Sequence, residues 1–255
     1  MTPATISVFL IGNDPSSVAN EALVQAFEGV NVSCQFIAPL TQESEADDRP
    51  PSLLASNEQQ TRRFYRDISE QEQLQYQTHQ LVWQQIIDQQ LDYALVLDSK
   101  VTLSGSLSPL LDALQALHKQ RTKFEWDYVM LADSQLNKGK AIYRRKLAQM
   151  ELLTYKTIPL QASAQAISAR GAQRLLDNSK TIARPLVYDL RSHWDLGIEV
   201  LGLAPYVFDG AQSVEASAQQ TASVNYARCF LQSLERKVTA WSNTRLLVVK
   251  QQELR

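Results

Sequence analysis

The stretch ISEQEQLQYQTHQLVWQQIIDQQLDYALVLDSKVTLS, residues 68–104, decides how the chain is read. Ser69 with Glu72 three residues on forms a capping box, a helix start in which each residue satisfies a backbone donor of the other. Leu74, Leu81, Val82, Ile86 and Ile87 then fall on one helical face. The run Tyr93-Ala94-Leu95-Val96-Leu97 is short and wholly apolar, as in a strand covered on both sides. It stops at Asp98-Ser99-Lys100. Ligands of open α/β sheets gather outside the carboxyl ends of the strands, so these three residues are the first candidates for chemistry.

Working outward, Ile6 to Ile11 reads as a first strand, followed by a helix through Val18, Leu23, Val24 and Phe27 that Gly29 ends. A second strand runs through Val30 to Ile37. This β-α-β start predicts a parallel pair with a right-handed crossover. Residues 41–63 are polar, carry the acidic run Glu43, Glu45, Asp47 and Asp48, and read as a surface loop, either a mobile cover over an acceptor site or a plain connector. Val101 to Leu103 continues extended. Ser108-Pro109 then predicts a helix start with Ser as cap, and Leu110, Leu111, Leu114 and Leu117 as the buried face. Trp126 to Leu131 is another strand, ending at Ala132-Asp133-Ser134. Gly139 to Arg145 reads as a basic turn leading to an edge strand. Ser168 caps a short helix with Leu175 and Leu176 inward. Leu196 to Phe208 reads as a strand and a turn, and residues 213–242 favour helix.

Two blocks resemble glycosyltransferase family 25, the bacterial lipooligosaccharide galactosyltransferase group. In the first, Glu72, Thr78 and His79 stand at the Glu, Ser and His of the family's E-x-G-C-x-x-S-H, followed by Trp83 and the apolar run Leu91 to Leu97. In the second, Gln165 to Leu176 is similar to Y-x-I-S-x-x-G-A-x-x-L-L, with Gln165 in place of the aromatic. Between them, Trp126 to Leu131 follows W-D-x-V-x-L. Arg184 to Asp189 resembles P-V-D stretched by two residues. The resemblance covers about residues 65–210. Two departures stand out. The family's acidic E-D-D triplet reads Asp98-Ser99-Lys100, and the loop after the first strand, LIGNDPSSVAN, has no arginine.

The resemblance implies an α/β fold with a mainly parallel sheet flanked by helices, of the GT-A type. It implies one domain over residues 1–210, with 211–255 as a C-terminal helical extension. It implies transfer of a hexose from a nucleotide sugar to a saccharide acceptor in lipooligosaccharide or polysaccharide assembly. Asp98 and Asp189 are the catalytic candidates, and Lys100, Ser99, His79 and Asp133 the donor-binding ones. A leaving diphosphate gains negative charge that something positive must hold. Mg²⁺ or Mn²⁺ on strand-end carboxylates does this in many transferases, and Asp98 is the residue that would hold it here. Lys100 opposes that role. A unit charge at 4 Å and an effective dielectric of ~20 is worth about 4 kcal/mol, roughly three orders of magnitude in affinity. Neighbouring strand residues face opposite sides, however, so Lys100 is also free to point away.

Three readings follow. Lys100 meets the diphosphate without a metal; or Asp98 holds the metal with Asp189 or Asp133; or the fold persists as a non-catalytic sugar- or protein-binding module. Individual residues also have plainer explanations. His79 suits a packed helical histidine, the capping box accounts for Glu72, and Trp83 suits the core. His118 and His193 lack companions at zinc-ligand spacing, and no G-x-S-x-G nucleophile motif occurs.

Composition sets the outer limits. A chain of 255 residues with 44% hydrophobic residues and a mean hydropathy of -0.26 is an ordinary globule. Its net charge of -2 gives no reason to expect a nucleic-acid partner. Cys34 and Cys229 form no framework and read as buried thiols. Residues 1–80 hold 11 acidic and 4 basic side chains, residues 224–255 hold 2 and 6. The basic tail suits peripheral contact with an anionic inner membrane, or simply a solvated helical face. With no signal-peptide pattern and no apolar run of roughly 18–20 residues, the expected location is the cytoplasm.

Overall fold

The computed structural model describes residues 4–12, 18–30, 32–45, 49–54, 60, 63–120, 125–133 and 139–210. The predicted tail helix over 213–242, the whole 211–255 extension and Cys229 lie outside them.

The chain begins β1 (Ile6–Ile11), α1 (Val18–Glu28), β2 (Cys34–Ile37), β3 (Leu53–Leu54), α2 (Glu70–Asp88), β4 (Tyr93–Asp98), β5 (Thr102–Leu103), α3 (Leu107–Lys119) and β6 (Tyr128–Met130). It continues β7 (Lys140–Leu147), β8 (Met150–Thr157), β9 (Ala164–Ser168), α4 (Ala169–Asn178), β10 (Thr181–Ile182), α5 (Leu186–Arg191), β11 (Val200–Ala204) and β12 (Phe208–Asp209).

Eight strands form one sheet in the order β2-β1-β4-β9-β6-β11-β8-β7. The predicted parallel start is present: β1 pairs in parallel with both β2 and β4. The sheet as a whole is mixed rather than mainly parallel. β9 enters antiparallel between β4 and β6, β6 and β11 are parallel, and β8 and β7 close the far edge antiparallel. Connection length explains one edge: β7 and β8 are joined by a short link that suits antiparallel neighbours, whereas a parallel pair needs a long crossover. β9 is different, since it lies apart from β8 and pairs with β4 and β6.

Alternation along β4 divides the core. Tyr93, Leu95 and Leu97 join a cluster with Leu23 and Phe27 of α1 and Leu110, Leu114 and Leu117 of α3. Ala94 and Val96 face the opposite cluster, with Tyr76, Trp83 and Ile86 of α2, Leu175 of α4 and Leu190 of α5. Helices therefore cover both faces, as the unbroken apolar run requires. Trp83 is a core residue, 1% exposed.

The capping box is complete: Ser69 accepts from the Glu72 backbone, and Glu72 accepts from the Ser69 backbone. Glu72 has a further partner, the buried Arg66, whose Nη2 lies 2.5 Å from Oε1. Burial pushes the Glu72 carboxyl up, but the hydrogen bonds from Arg66 and Ser69 outweigh it and leave it lowered. The next helix differs from its expected start. Its N-cap is Ser106, without a side-chain cap bond, and Ser108 and Pro109 lie inside the first turn.

The I-S-x-x-G-A block is a clamp on β6. Ser168 Oγ donates to the Trp126 carbonyl and accepts from Gly171 N–H. A Cβ on Gly171 would lie 2.1 Å from the Asp127 carbonyl oxygen, so only glycine lets α4 sit this close. The fully buried Asp127 ties this end of the sheet together through Arg170, Arg174 and the Glu199 backbone. This is the amino end of β6, opposite the strand ends where ligands gather.

Candidate functional site

At the carboxyl ends of β1 and β4 the chain opens into a cavity of about 430 Å³. Its floor is Ile11 and Gly12 at the end of β1 and Asp98, Ser99 and Lys100 at the end of β4. Helix α2 forms one wall with Leu74, Gln75, Thr78 and His79, and the loop Pro39–Gln42 forms the other. The triplet that ends the apolar strand thus lies at the expected place.

Backbone bonds fix the triplet. Ser99 N–H donates to the Ile11 carbonyl at 2.9 Å, and Asp98 N–H to the Ser163 carbonyl at 2.7 Å. Asp98 Oδ1 accepts from Lys100 N–H at 2.9 Å. Gly12 runs directly against Ser99: a Cβ there would sit 2.4 Å from both Ser99 Cβ and Oγ. Burial pushes the Asp98 carboxyl above its usual range, and the Lys100 amide and ammonium only partly offset this. Lys100 is exposed at the cavity edge.

His79 lies in the wall, buried. Its Nδ1 is 3.4 Å from Gln165 Nε2 on β9. Burial with no anionic partner lowers its pKa to about 4, so the imidazole is neutral at pH 7. The opposite wall is pinned from two directions. Thr78 Oγ1 accepts from Leu40 N–H and donates to the Leu74 carbonyl. Arg49 Nη2 reaches the carbonyls of Thr41, Gln42 and Ser44. The sequence reads residues 41–63 as a surface loop, either a cover over an acceptor site or a plain connector; the wall begins earlier, at Pro39, and its attachment to Thr78 is not legible there. The available signal was Thr78, which stands at a motif position and carries a hydroxyl on an otherwise packed helical face.

The other two candidates lie elsewhere. Asp189, on α5, does not line the cavity. Its Oδ1 accepts from Arg184 Nε at 2.5 Å and its Oδ2 from the Tyr76 hydroxyl at 2.9 Å. Arg184 in turn donates to Asp195. Tyr76 and Arg184 were not singled out in the sequence, and together they commit the Asp189 carboxylate to the interior. Asp133 follows β6, with Oδ1 accepting from Gly139 N–H at 3.1 Å, and it too is absent from the cavity lining. Asp98, Ser99, Lys100 and His79 are therefore brought together, while Asp189 and Asp133 are not.

Among the described residues, the cavity floor offers a divalent ion one carboxylate, with an ammonium two residues away. Among the described residues no group of three or more His, Cys, Asp or Glu side chains is placed to hold a metal. No described helix is long and apolar enough to cross a membrane. Cys34 is a free thiol, and burial pushes its pKa up to about 11.

No curated protein matches the chain. Residues 19–190, about two thirds of its length, match the family described as glycosyltransferase family 25 (LPS biosynthesis protein).

Proposed function

Since the chain belongs to glycosyltransferase family 25, we propose that the cavity at the ends of β1 and β4 binds a nucleotide sugar without a divalent ion and passes its hexose to a cell-surface saccharide. The observation that carries this reading is the pairing of Asp98 and Lys100 on the floor of one open cavity. Lys100 places a flexible ammonium where a leaving diphosphate needs positive charge. Asp98 is the one carboxylate among the described lining residues, and its raised proton affinity suits removal of a proton from the acceptor hydroxyl. In the transfer, the acceptor oxygen bonds to the anomeric carbon, the bond from that carbon to the diphosphate breaks, and Asp98 takes the hydroxyl proton. Neutral His79 adds a polar group to the wall without adding charge.

The test is release of nucleoside diphosphate from a panel of nucleotide sugars, in EDTA, with truncated lipooligosaccharide as acceptor. Acceptor-dependent release that Asp98→Asn abolishes is the expected result. A second reading, a non-catalytic sugar-binding module, draws on the internal commitment of Asp189. It predicts nucleotide-sugar binding with no release.

A further inference from the structure

A second cavity, of about 690 Å³, lies on the outer side of α2 and α4. Among the described residues it shares no lining residue with the first. We infer that it is a separate binding site for a neutral saccharide of one or two rings. The inference does not depend on transfer in the first cavity.

Three carboxamides, from Gln80, Gln84 and Gln173, line the cavity, together with the hydroxyl residues Ser52 and Thr181. Planar amides and hydroxyls both donate and accept, matching the mixed hydrogen bonding of sugar hydroxyls. Leu81, Leu176 and Pro51 supply the apolar surface that the C–H face of a pyranose needs.

Unsatisfied groups point the same way. Gln80 is 3% exposed; its Nε2 is spent on the Ser179 carbonyl and hydroxyl at 2.8 and 2.9 Å. Its Oε1 has no hydrogen-bond partner, and neither does Arg49 Nε, on another side of the same cavity. A buried acceptor and a buried donor without partners are costly. Both atoms are shielded as the side chains stand, so a ligand hydroxyl reaches either one only when a lining side chain turns aside.

Charge and shape argue against other classes. Lys180 and Asp177 carry opposite charges and Arg49 turns Nη2 onto three backbone carbonyls, which leaves a single net positive charge among the described lining residues, too little for a diphosphate. Among the described lining residues there is no aromatic side chain, so they offer a nucleobase no stacking platform.

The test is saturation-transfer NMR on the full chain with lactose, maltose and chitobiose as probes. A saturable signal is expected from at least one. Gln84 and Gln173 are exposed, so Gln84→Ala with Gln173→Ala should leave the fold intact and weaken that signal by about tenfold. Asp98→Asn should leave it unchanged. Side-chain amide shifts of Gln80, Gln84 and Gln173 in the unaltered protein give a readout that needs no variant. The inference is overturned if no probe saturates. It is also overturned if the signal survives the double substitution, or disappears in Asp98→Asn.

Discussion

Arg184 holds Asp189 from behind: Nε to Oδ1 is 2.5 Å, both side chains are less than a tenth exposed, and the Tyr76 hydroxyl closes the other carboxylate oxygen. This is a structural ion pair, so its loss should register as instability. Breaking a buried pair from one side typically costs about 3–5 kcal/mol, because the other charge stays buried. Asp189→Asn should therefore lower the urea midpoint sharply. Below its melting range, the variant should bind nucleotide sugar as the unaltered protein does. Calorimetric titration at low temperature separates the two effects.

Lys100 is proposed to face the diphosphate. Lys100→Ala should weaken binding of a nucleoside diphosphate by about tenfold while leaving the melting midpoint in place, since the side chain is exposed. Raising the salt concentration should erode the difference between the two proteins.

Gly12 and Ser99 share one space. A methyl at residue 12 would meet Ser99 Cβ and Oγ at 2.4 Å, but Ser99 Cα only at 3.8 Å. Gly12→Ala should thus displace the triplet turn, cost about 1–3 kcal/mol and weaken ligand binding. Gly12→Ala combined with Ser99→Gly removes the clashing atoms and should recover most of both. A double-mutant cycle on unfolding free energy measures the coupling.

His79 gives the protein an acid-sensitive wall. Its folded pKa of about 4 lies below the ordinary histidine value. The unfolded chain therefore takes up a proton near pH 6.5 that the folded chain refuses. The stability linked to His79 is present above that pH and is lost as pH falls toward 4. The difference corresponds to about 3 kcal/mol in all. His79→Gln should flatten the pH dependence of the unfolding free energy between pH 7 and pH 4, measured against the unaltered protein.

What sequence could supply follows the range of each interaction. The Ser69–Glu72 box and the Ser168 cap are local, spanning three residues, and both are present as read. The strand Tyr93–Asp98 was legible because an apolar run of its length has few other uses, and its polar end does lie in the cavity. The antiparallel entry of β9 was not legible. It pairs Ala164–Ser168 with residues some seventy positions earlier, and no local pattern encodes the direction of such a pairing. The partners of Asp189 were not legible for a similar reason: Arg184 is near in sequence, but Tyr76 is 113 residues away. The Ser108-Pro109 start was off by two residues because Ser106 lies close by and is equally able to precede the helix.

The central claim is that Lys100 takes the place of a metal at the diphosphate. The most direct measurement is thermal unfolding with a panel of nucleotide sugars, in EDTA and in Mn²⁺, on the unaltered protein and on Lys100→Ala. A ligand at 100 times its dissociation constant adds about 2.7 kcal/mol, a readily visible shift. The expected result is a shift in EDTA that Mn²⁺ does not enlarge and that Lys100→Ala reduces. A shift that appears only with Mn²⁺, or no shift with any nucleotide sugar, would contradict it.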